Sequence, residues 1–264
     1  MRIFDNPVKR KLARGQVVVG SWIAMDHPWV ADIMGQCGFE FLVVELEHSV
    51  VELGALTSLF AILELHGVVP MARLSSNDPV QAKRVLDAGA YGLIFPMVNT
   101  PEDARRAVAA VKYPPQGARG FGLGRAQDFG FGSKDYFARA NQETIVVVQV
   151  EHIEGVRHID AILEVEGIDA VFIGPYDLSG SLGVPGQIDH PKVRAARKCV
   201  LDAALERSIA PGLHVVHPDA KLLRRVLDKG FRFIAYGGDI LYLGEACRRA
   251  MDEVRRPAGR KGRG

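Results

Sequence analysis

Polar side chains that could hold a metal ion accompany two apolar segments of this 264-residue chain. Gln149 lies in the segment TIVVVQV, Glu151 follows it directly, and Asp177 follows the segment DAVFIG. Because side chains alternate along a strand, Gln149 and Glu151 share one face. On a buried face they form either a hydrogen-bonded network or a metal site, and the sequence leaves both open. Glu151 and Asp177 together suit Mg²⁺ or Mn²⁺, which keep water ligands and accept oxygens from a substrate.

A histidine and an arginine lie at the ends of two further apolar segments. His48 follows FLVVEL, close to Glu45 and Glu47. A neighbouring carboxylate would orient its ring and raise its basicity, although a histidine at such a place can also be purely structural. Arg73 ends the segment VVPMAR, where its permanent charge would suit a substrate carboxylate or an enolate oxygen. Both residues are therefore candidates for catalysis.

Eight short apolar segments alternate with segments of helical periodicity. This alternation is typical of βα units around a parallel sheet, and eight strands close a (β/α)8 barrel. Active sites in such barrels lie at the carboxyl ends of the strands, where the polar residues above are found. The predicted strands are residues 17–22, 41–46, 68–73, 91–97, 144–150, 169–174, 210–215 and 231–236. The predicted helices lie near residues 28–36, 51–65, 79–88, 101–112, 155–164, 191–208, 218–229 and 239–254.

The sequence gives less support to a lysine-based active site, to common catalytic or nucleotide-binding motifs and to a histidine metal site. A Schiff-base aldolase needs a lysine inside the barrel. The lysines that could serve fall instead on helical segments or their ends: Lys83, Lys112, Lys192, Lys198, Lys221 and Lys229. No GxSxG, HExxH or Walker motif is present, and GFGLG at 120–124 misses the GxGxxG pattern of dinucleotide-binding loops. His214 and His217 could ligate a metal, but such a pair at the end of a strand is weak evidence.

The charge distribution argues against nucleic-acid binding, and no segment is apolar for long enough to span a membrane. The formal net charge is +2, but five basic residues lie within 255–264, so the rest of the chain is mildly acidic. The three cysteines are far apart and lack metal or redox spacing, as is typical of reduced thiols in the cytoplasm. We therefore predict a cytoplasmic protein with one barrel over residues 1–254 and a basic, disordered tail over residues 255–264.

One connection, residues 113–141, is too long for a simple turn and is rich in glycine and aromatic residues. Long connections in a barrel of this kind usually contribute to the active site. We therefore expect this segment to lie at the catalytic end of the barrel, with GFGLG as a mobile loop.

Six motifs, in a fixed order, resemble those of a known enzyme family. They are GFEFLVVELEHS, MARLSSNDP, VLDAGAYGLIFPMVNT, VKYPPQGARGFG, VVQVEHIEG and DAVFIGPYDLSGSLG. On these motifs the chain, from about residue 5 to residue 250, resembles the HpcH/HpaI aldolases. These are class II pyruvate aldolases that include 4-hydroxy-2-oxoheptanedioate and 2-keto-3-deoxy sugar acid aldolases. The resemblance implies a single (β/α)8 barrel of the phosphoenolpyruvate/pyruvate superfamily.

The resemblance also implies roles for individual residues. His48 would be the catalytic base, Asp87 in VLDAG the carboxylate that raises its basicity, and Arg73 the residue that stabilises the transition state. Arg73 would also contact the substrate. These three residues are the expected catalytic group.

Metal and substrate contacts follow from the same resemblance. Glu151 and Asp177 are expected to ligate the metal, and Asp177 also lies beside the substrate. Gln149 and the backbone at Tyr176 are expected to contact the pyruvate part of the substrate. The family's last helix is exchanged between neighbouring subunits of a hexamer built as a trimer of dimers. In this chain that helix would be residues 239–254.

Three departures from the family pattern leave the aldehyde open. Glu45 stands where many members have aspartate, Tyr176 replaces a small residue, and His214 replaces an apolar residue of the seventh strand. None of them removes a residue of the expected catalytic group.

The resulting prediction is a divalent-metal-dependent aldolase that cleaves or forms 4-hydroxy-2-oxo acids. The metal would be Mg²⁺, Mn²⁺ or Co²⁺, and the substrates pyruvate or hydroxypyruvate and an aldehyde. One alternative is another carbon–carbon lyase of the superfamily, acting on CoA esters or as a decarboxylating synthase. Two others are a barrel that binds oxo acids without turnover and a purely structural oligomer. A sensor needs no base, so the presence of His48, Arg73, Asp87, Glu151 and Asp177 together argues against it.

Overall fold

The computed structural model describes residues 4–255, which form a closed barrel of eight parallel strands in chain order. This confirms the predicted (β/α)8 architecture. The strands are β1 (Val18–Ile23), β2 (Phe41–Glu45), β3 (Val69–Arg73), β4 (Gly92–Phe95), β5 (Ile145–Val150), β6 (Ala170–Ile173), β7 (Ala210–Val215) and β8 (Phe233–Gly238). Apart from residue 255, the predicted basic tail lies outside the described residues.

Twelve α-helices lie among the described residues. Three of them were not predicted: α1 (Pro7–Ala13), α6 (Ser133–Glu143) and α9 (Pro175–Ser181). The others are α2 (Pro28–Gly35), α3 (Leu53–Leu65), α4 (Pro79–Ala88), α5 (Pro101–Val111), α7 (Ile153–Arg157), α8 (Ile159–Leu163), α10 (Pro191–Glu206), α11 (Ala220–Asp228) and α12 (Asp239–Arg255). None of the described helices is long and apolar enough to cross a membrane.

Helix starts follow the local chemistry of the sequence. Proline occupies the first turn of α4 and α5, where its missing N–H costs no hydrogen bond. The side chain of Asp78 accepts hydrogen bonds from the first-turn amides of α4, and Thr100 and Asp103 form a reciprocal capping box at α5. These caps fix where each helix begins and therefore where each preceding loop ends.

Two apolar layers hold the barrel together. The inner layer fills the space enclosed by the strands and includes large side chains from seven of them: Val18, Trp22, Phe41, Val43, Met71, Ile94, Val147, Phe172 and Phe233. The outer layer packs the strands against the helices, with Leu42, Val44, Leu59, Leu86, Val148 and Ile173 among its members. Successive residues of one strand thus belong to different layers, as strand alternation requires.

Glycine makes room for the large rings of the inner layer. A Cβ atom added at Gly212 on β7 would lie 2.8 Å from Cδ2 of Phe172 and 3.0 Å from Cδ1 of Phe233. Real Cβ atoms do not approach other atoms so closely. The absence of a side chain at this position therefore lets two aromatic rings fill the centre of the barrel.

The long connection lies at the opposite end of the barrel from the one predicted. It follows α5 and leads into β5 through α6, so it is a helix-to-strand connection at the amino ends of the strands. The expectation that residues 113–141 belong to the catalytic mouth of the same chain is wrong. The prediction rested on the length of the segment. A connection that runs from a helix to the next strand lies at the amino ends of the strands, whatever its length.

Gly212→Ala is predicted to destabilise the protein by ~1–3 kcal/mol, the usual cost of overpacking a filled core. Gly54→Ala is the matched control, because Gly54 lies in α3 with no atom near its missing Cβ. That substitution is predicted to stabilise by ~0.4–1 kcal/mol through the unfolded chain. Denaturant unfolding of both variants checks the prediction, and equal shifts of the two midpoints would contradict it.

Candidate active site

The strand alternation that forms the inner layer also determines which side chains face inward at the carboxyl ends of the strands. Continuing each inward-facing series by two residues toward the carboxyl end of its strand reaches polar residues on β2, β3, β5 and β7. These residues line one cavity of about 360 Å³ at the carboxyl ends of the strands: Glu45, Arg73, Gln149 and His214, together with Trp22 of β1, Phe172 of β6 and Glu151, which follows β5. Its volume is that of a small-molecule site.

Arg73 is held in one orientation by two carboxylates. Its Nε lies 3.1 Å from Oε1 of Glu45, and its Nη2 bonds Oε2 of the same residue, which makes a two-pronged contact. Glu47 Oε2 lies 3.3 Å from Nε on the other side. Beneath it, the guanidinium carbon is 4.8 Å from the centre of the Trp22 ring. None of these contacts uses Nη1 of Arg73, a residue that lines the cavity.

Glu45 also positions the turn that carries His48. Its Oε1 accepts hydrogen bonds from the backbone N–H groups of Glu47, at 2.7 Å, and His48, at 3.2 Å. The His48 side chain is 64% exposed, and its Nε2 lies 3.8 Å from Oε2 of Glu47. The structure therefore brings His48 and Arg73 to the same cavity, both arranged by one buried carboxylate.

Glu47 is an acid whose proton affinity is strongly changed by its surroundings. Burial raises its pKa to about 7, although the Arg73 charge opposes this shift. Its Oε2 is buried and makes no hydrogen bond to the described residues. This carboxyl group beside His48 therefore binds a proton more readily than an exposed glutamate does.

Glu151 lies buried at the end of β5, where burial raises its pKa. One of its oxygens accepts from the Met97 amide at 2.8 Å, and the other accepts from Nε2 of Gln149. Gly174 leaves room for this carboxylate, since a Cβ there would lie 2.5 Å from Glu151 Oε2. Asp177, in the first turn of α9, is near enough for its charge to raise the pKa of Glu151 further.

This arrangement fits a divalent cation with oxygen ligands. No lysine, arginine or histidine within the described residues forms an ion pair with Glu151, and Oε1 of Gln149 is buried without a hydrogen-bond partner. A cation beside Asp177 would compensate both. No group of three or more His, Cys, Asp or Glu residues in the described part could hold a metal. The site therefore suits an ion that completes its shell with water or substrate oxygens.

The two histidines after β7 have different surroundings. His214 lines the cavity, whereas His217 is exposed and lies 3.0 Å from Glu245 on α12. The possibility that they form one metal site is not supported, because the described residues contain no such ligand group. Burial lowers the pKa of His214 to about 4, so this residue is neutral at physiological pH.

Asp87 and His48 lie at opposite ends of the barrel. Asp87 is in the last turn of α4, which leads into the amino end of β4, whereas His48 follows the carboxyl end of β2. Its Oδ1 accepts hydrogen bonds from the buried Arg119, at 2.7 Å, and from Gln127, at 3.1 Å. The predicted pairing of Asp87 with His48 is therefore absent within one chain. The motif VLDAG gave no indication of the end of the barrel at which its aspartate lies.

Tyr176 also lines the cavity, and so do Trp22 and Asp239, which were not predicted as site residues. The Tyr176 side chain is 51% exposed at the rim. Trp22 could have been found by strand alternation, but its apolar segment indicated only a core residue. Asp239 follows β8 directly and accepts hydrogen bonds from the amides of Ala24 and Met25, both at 2.9 Å. Its position immediately after a strand was the available signal.

Comparisons with known proteins agree with the resemblance seen in the motifs. The model of the HpcH/HpaI aldolase/citrate lyase family matches residues 18–246. The 5-keto-4-deoxy-D-glucarate aldolase of Escherichia coli O139:H28 is 36% identical over 256 residues, which cover 96% of this chain and 98% of that protein.

Solved structures give the same answer. An HpcH/HpaI aldolase/citrate lyase family protein from Burkholderia cenocepacia J2315 is 33% identical with a TM-score of 0.90, covering 95% of this chain and 99% of its own. An HpcH/HpaI aldolase from Desulfitobacterium hafniense DCB-2 is 30% identical with a TM-score of 0.87, covering 95% and 97%. The chain belongs to the HpcH/HpaI aldolase/citrate lyase family.

Proposed function

We propose that the protein is a class II aldolase that cleaves or forms 4-hydroxy-2-oxo acids through the enolate of pyruvate or a substituted pyruvate. The observation that carries this proposal is one cavity that contains both the oriented Arg73 and the carboxylates of Glu151 and Asp177. Such a cavity presents positive charge to a 2-oxo acid from two sides once a cation is bound. Family membership and the aldolase from Escherichia coli support the same reaction class.

Glu151 and Asp177 are the residues that would hold the metal, with Gln149 beside them. A bound divalent cation would supply a Lewis acid that stabilises negative charge on the 2-oxo oxygen of the substrate. Glu151 is already positioned for this by the Met97 amide and by Gln149. The buried carboxylate therefore needs little rearrangement to act as a ligand.

Arg73 would stabilise the charge that develops on the substrate. Glu45 fixes two of its nitrogen atoms, so Nη1 meets a substrate oxygen in a prearranged direction. A donor that does not reorganise during the reaction stabilises the transition state more than a mobile one. The Trp22 ring and the buried Glu45 together keep the guanidinium from turning toward water.

His48 would act as the base. In cleavage it removes the proton of the 4-hydroxyl group, the C3–C4 bond breaks, and its electron pair passes to C3 to give the enolate. The aldehyde leaves, and a proton returned to C3 gives the 2-oxo acid. His48 is exposed at the mouth of the cavity, which allows it to exchange its proton with solvent.

Asp87 could raise the basicity of His48 only from a neighbouring subunit. Asp87 faces a partly apolar surface, because Phe121 and Leu123, on either side of the adjoining Gly122, are both exposed. A second chain that covers this surface would bring its own exposed His48 near Asp87. We therefore place the His48–Asp87 pair between subunits of the proposed oligomer.

An oligomer built through the last helix is supported by unburied apolar surface. A cavity of about 580 Å³ between α2, β8 and α12 is lined mostly by apolar residues, among them Val30, Ile33, Met34, Phe39 and Leu243. The helix α12 also exposes apolar side chains along its length: Ile240, Leu243, Met251 and Val254. Apolar surface of this kind is typical of a subunit interface. The proposed assembly is a hexamer with this helix exchanged between neighbours.

Removal of the metal should abolish aldol cleavage, and Mg²⁺, Mn²⁺ or Co²⁺ should restore it. Glu151→Gln should not be restored at the same metal concentrations, because it removes the buried charged ligand. Pyruvate release in the presence and absence of EDTA is the measurement. Full activity in excess chelator, or pyruvate trapped on a lysine by borohydride, would contradict a class II mechanism.

His48→Ala should lower the rate of cleavage by ~10²–10⁴-fold, the usual contribution of a general base. Arg73→Ala and Arg73→Lys should both be severely impaired, because a point charge does not reproduce the fixed fork. Oxaloacetate decarboxylation separates the roles, since losing CO₂ gives the same enolate without deprotonating a hydroxyl group. His48→Ala should retain much of this side reaction, and the Arg73 variants should lose it. Equal losses would show that these roles are wrongly assigned.

Mixed oligomers test the pairing between subunits. Co-expressed His48→Ala and Asp87→Asn chains should regain activity, since about a quarter of the sites in a random mixture receive both intact residues. Co-expressed His48→Ala and Arg73→Ala chains are the matched control. His48 and Arg73 of one site come from the same chain, so no site in this mixture contains both residues, and mixing should not restore activity. Mixtures that are no more active than their parents would exclude a pair between subunits.

A further inference from the structure

Trp22 and His214 form a corner in the wall of the cavity whose ring nitrogen atoms have no role in the proposed reaction. Both residues line the cavity, and their ring centres are 5.8 Å apart. Trp22 lies on β1 and His214 on β7, whereas the proposed metal ligands follow β5 and β6. The corner therefore lies in a part of the cavity wall separate from the proposed metal ligands.

Trp22 supplies a hydrogen-bond donor without a partner. Its side chain is 6% exposed, and its indole Nε1 is buried with no hydrogen-bond partner in the described part of the chain. A buried N–H group left unpaired costs stability, so its retention in the wall of a binding cavity points to a ligand atom that accepts its hydrogen bond. Indole nitrogen can only donate.

His214 supplies an acceptor beside it. Its Nε2 lies 2.9 Å from the carbonyl oxygen of Gly237. A carbonyl oxygen can only accept, so Nε2 carries the proton. Burial lowers the pKa of His214 to about 4, so the ring is neutral and Nδ1 has no proton. Nδ1 is therefore a hydrogen-bond acceptor at physiological pH.

A donor and an acceptor side by side match a hydroxyl group, which accepts and donates through one oxygen. A carboxylate only accepts, and it would leave His214 Nδ1 without a partner. The two rings are close neighbours, with centres 5.8 Å apart, so a single hydroxyl oxygen at this corner lies near both.

We propose that Trp22 and His214 form a subsite that selects substrates with a hydroxyl group in addition to the 4-hydroxyl of the aldol, either on C3 of the 2-oxo acid or on the carbon next to the aldehyde group. The inference rests on the proposed aldolase function and makes it more specific. The hydroxyl group could belong to the 2-oxo acid, as in hydroxypyruvate, or to the aldehyde, as in glycolaldehyde. The chemistry of recognition is the same in both cases.

Four aldol additions distinguish these sources. Pyruvate competes with hydroxypyruvate for one aldehyde, and acetaldehyde competes with glycolaldehyde for one 2-oxo acid, with products measured by mass. The metal-loaded wild-type enzyme should prefer the hydroxylated substrate in at least one competition. A ratio of products from one vessel is unaffected by a general loss of activity, so it reports selectivity alone.

His214→Leu and Trp22→Phe should each lower that ratio by about tenfold, the effect of losing one hydrogen bond to a buried group. The double variant should lose less than the product of the two single effects, because both residues bind one hydroxyl group. His214→Asn, which keeps an acceptor on a short side chain, should retain part of the preference. His217→Leu is the matched control, since His217 is exposed and pairs with Glu245 outside the cavity.

A wild-type enzyme without preference for the hydroxylated substrate in either competition would overturn the subsite. So would an undiminished preference in both His214→Leu and Trp22→Phe. If the wild-type enzyme gave no aldol product in any of the four reactions, the proposed function itself would fail, and the subsite with it. If one variant failed to fold, the other would still decide, because the two substitutions remove opposite halves of the same contact.

Discussion

The buried contact between Glu45 and Arg73 is the constraint on which the candidate site depends. Two charges removed from water are tolerated only when they are well paired, and the two-pronged contact provides that pairing. The same carboxylate accepts hydrogen bonds from the backbone at residues 47 and 48. One side chain thus fixes the direction of the guanidinium and the path of the turn that carries His48. A shorter aspartate at this position would have to bring strand, turn and arginine closer together.

Charge balance in the cavity explains why a cation fits there. Of the residues that line it, Glu45, Glu151, Asp177 and Asp239 carry carboxylates and only Arg73 carries a permanent positive charge. Burial raises the pKa of Glu151 and of Asp239. A negative substrate would add to this excess of negative charge. A divalent cation offsets it, so binding of the metal and binding of an anionic 2-oxo acid should favour each other.

The sequence predicted the barrel well because one physical rule, strand alternation, governs both the core and the site. All eight strands lie within a few residues of their predicted positions, and β7 has the predicted bounds. Gln149 and Arg73 were found as polar interruptions of apolar runs. The errors concern the end of the barrel at which residues lie. Neither Asp87 nor the segment 113–141 contains a local signal for that end. That information comes from the order of helix and strand.

His214, which the resemblance marks as a departure from the family pattern, would in our proposal change specificity without altering the reaction. It belongs to the wall formed by Trp22, Glu45 and Arg73, where each side chain contacts or influences the next. The charge of Arg73 and burial both disfavour a protonated imidazole, so the histidine adds a hydrogen-bond acceptor but no charge. The electrostatics that would stabilise an enolate are therefore preserved. An apolar residue at this position would leave the Trp22 N–H without an acceptor beside it, whereas with His214 the proposed corner would be complementary to a hydroxyl group.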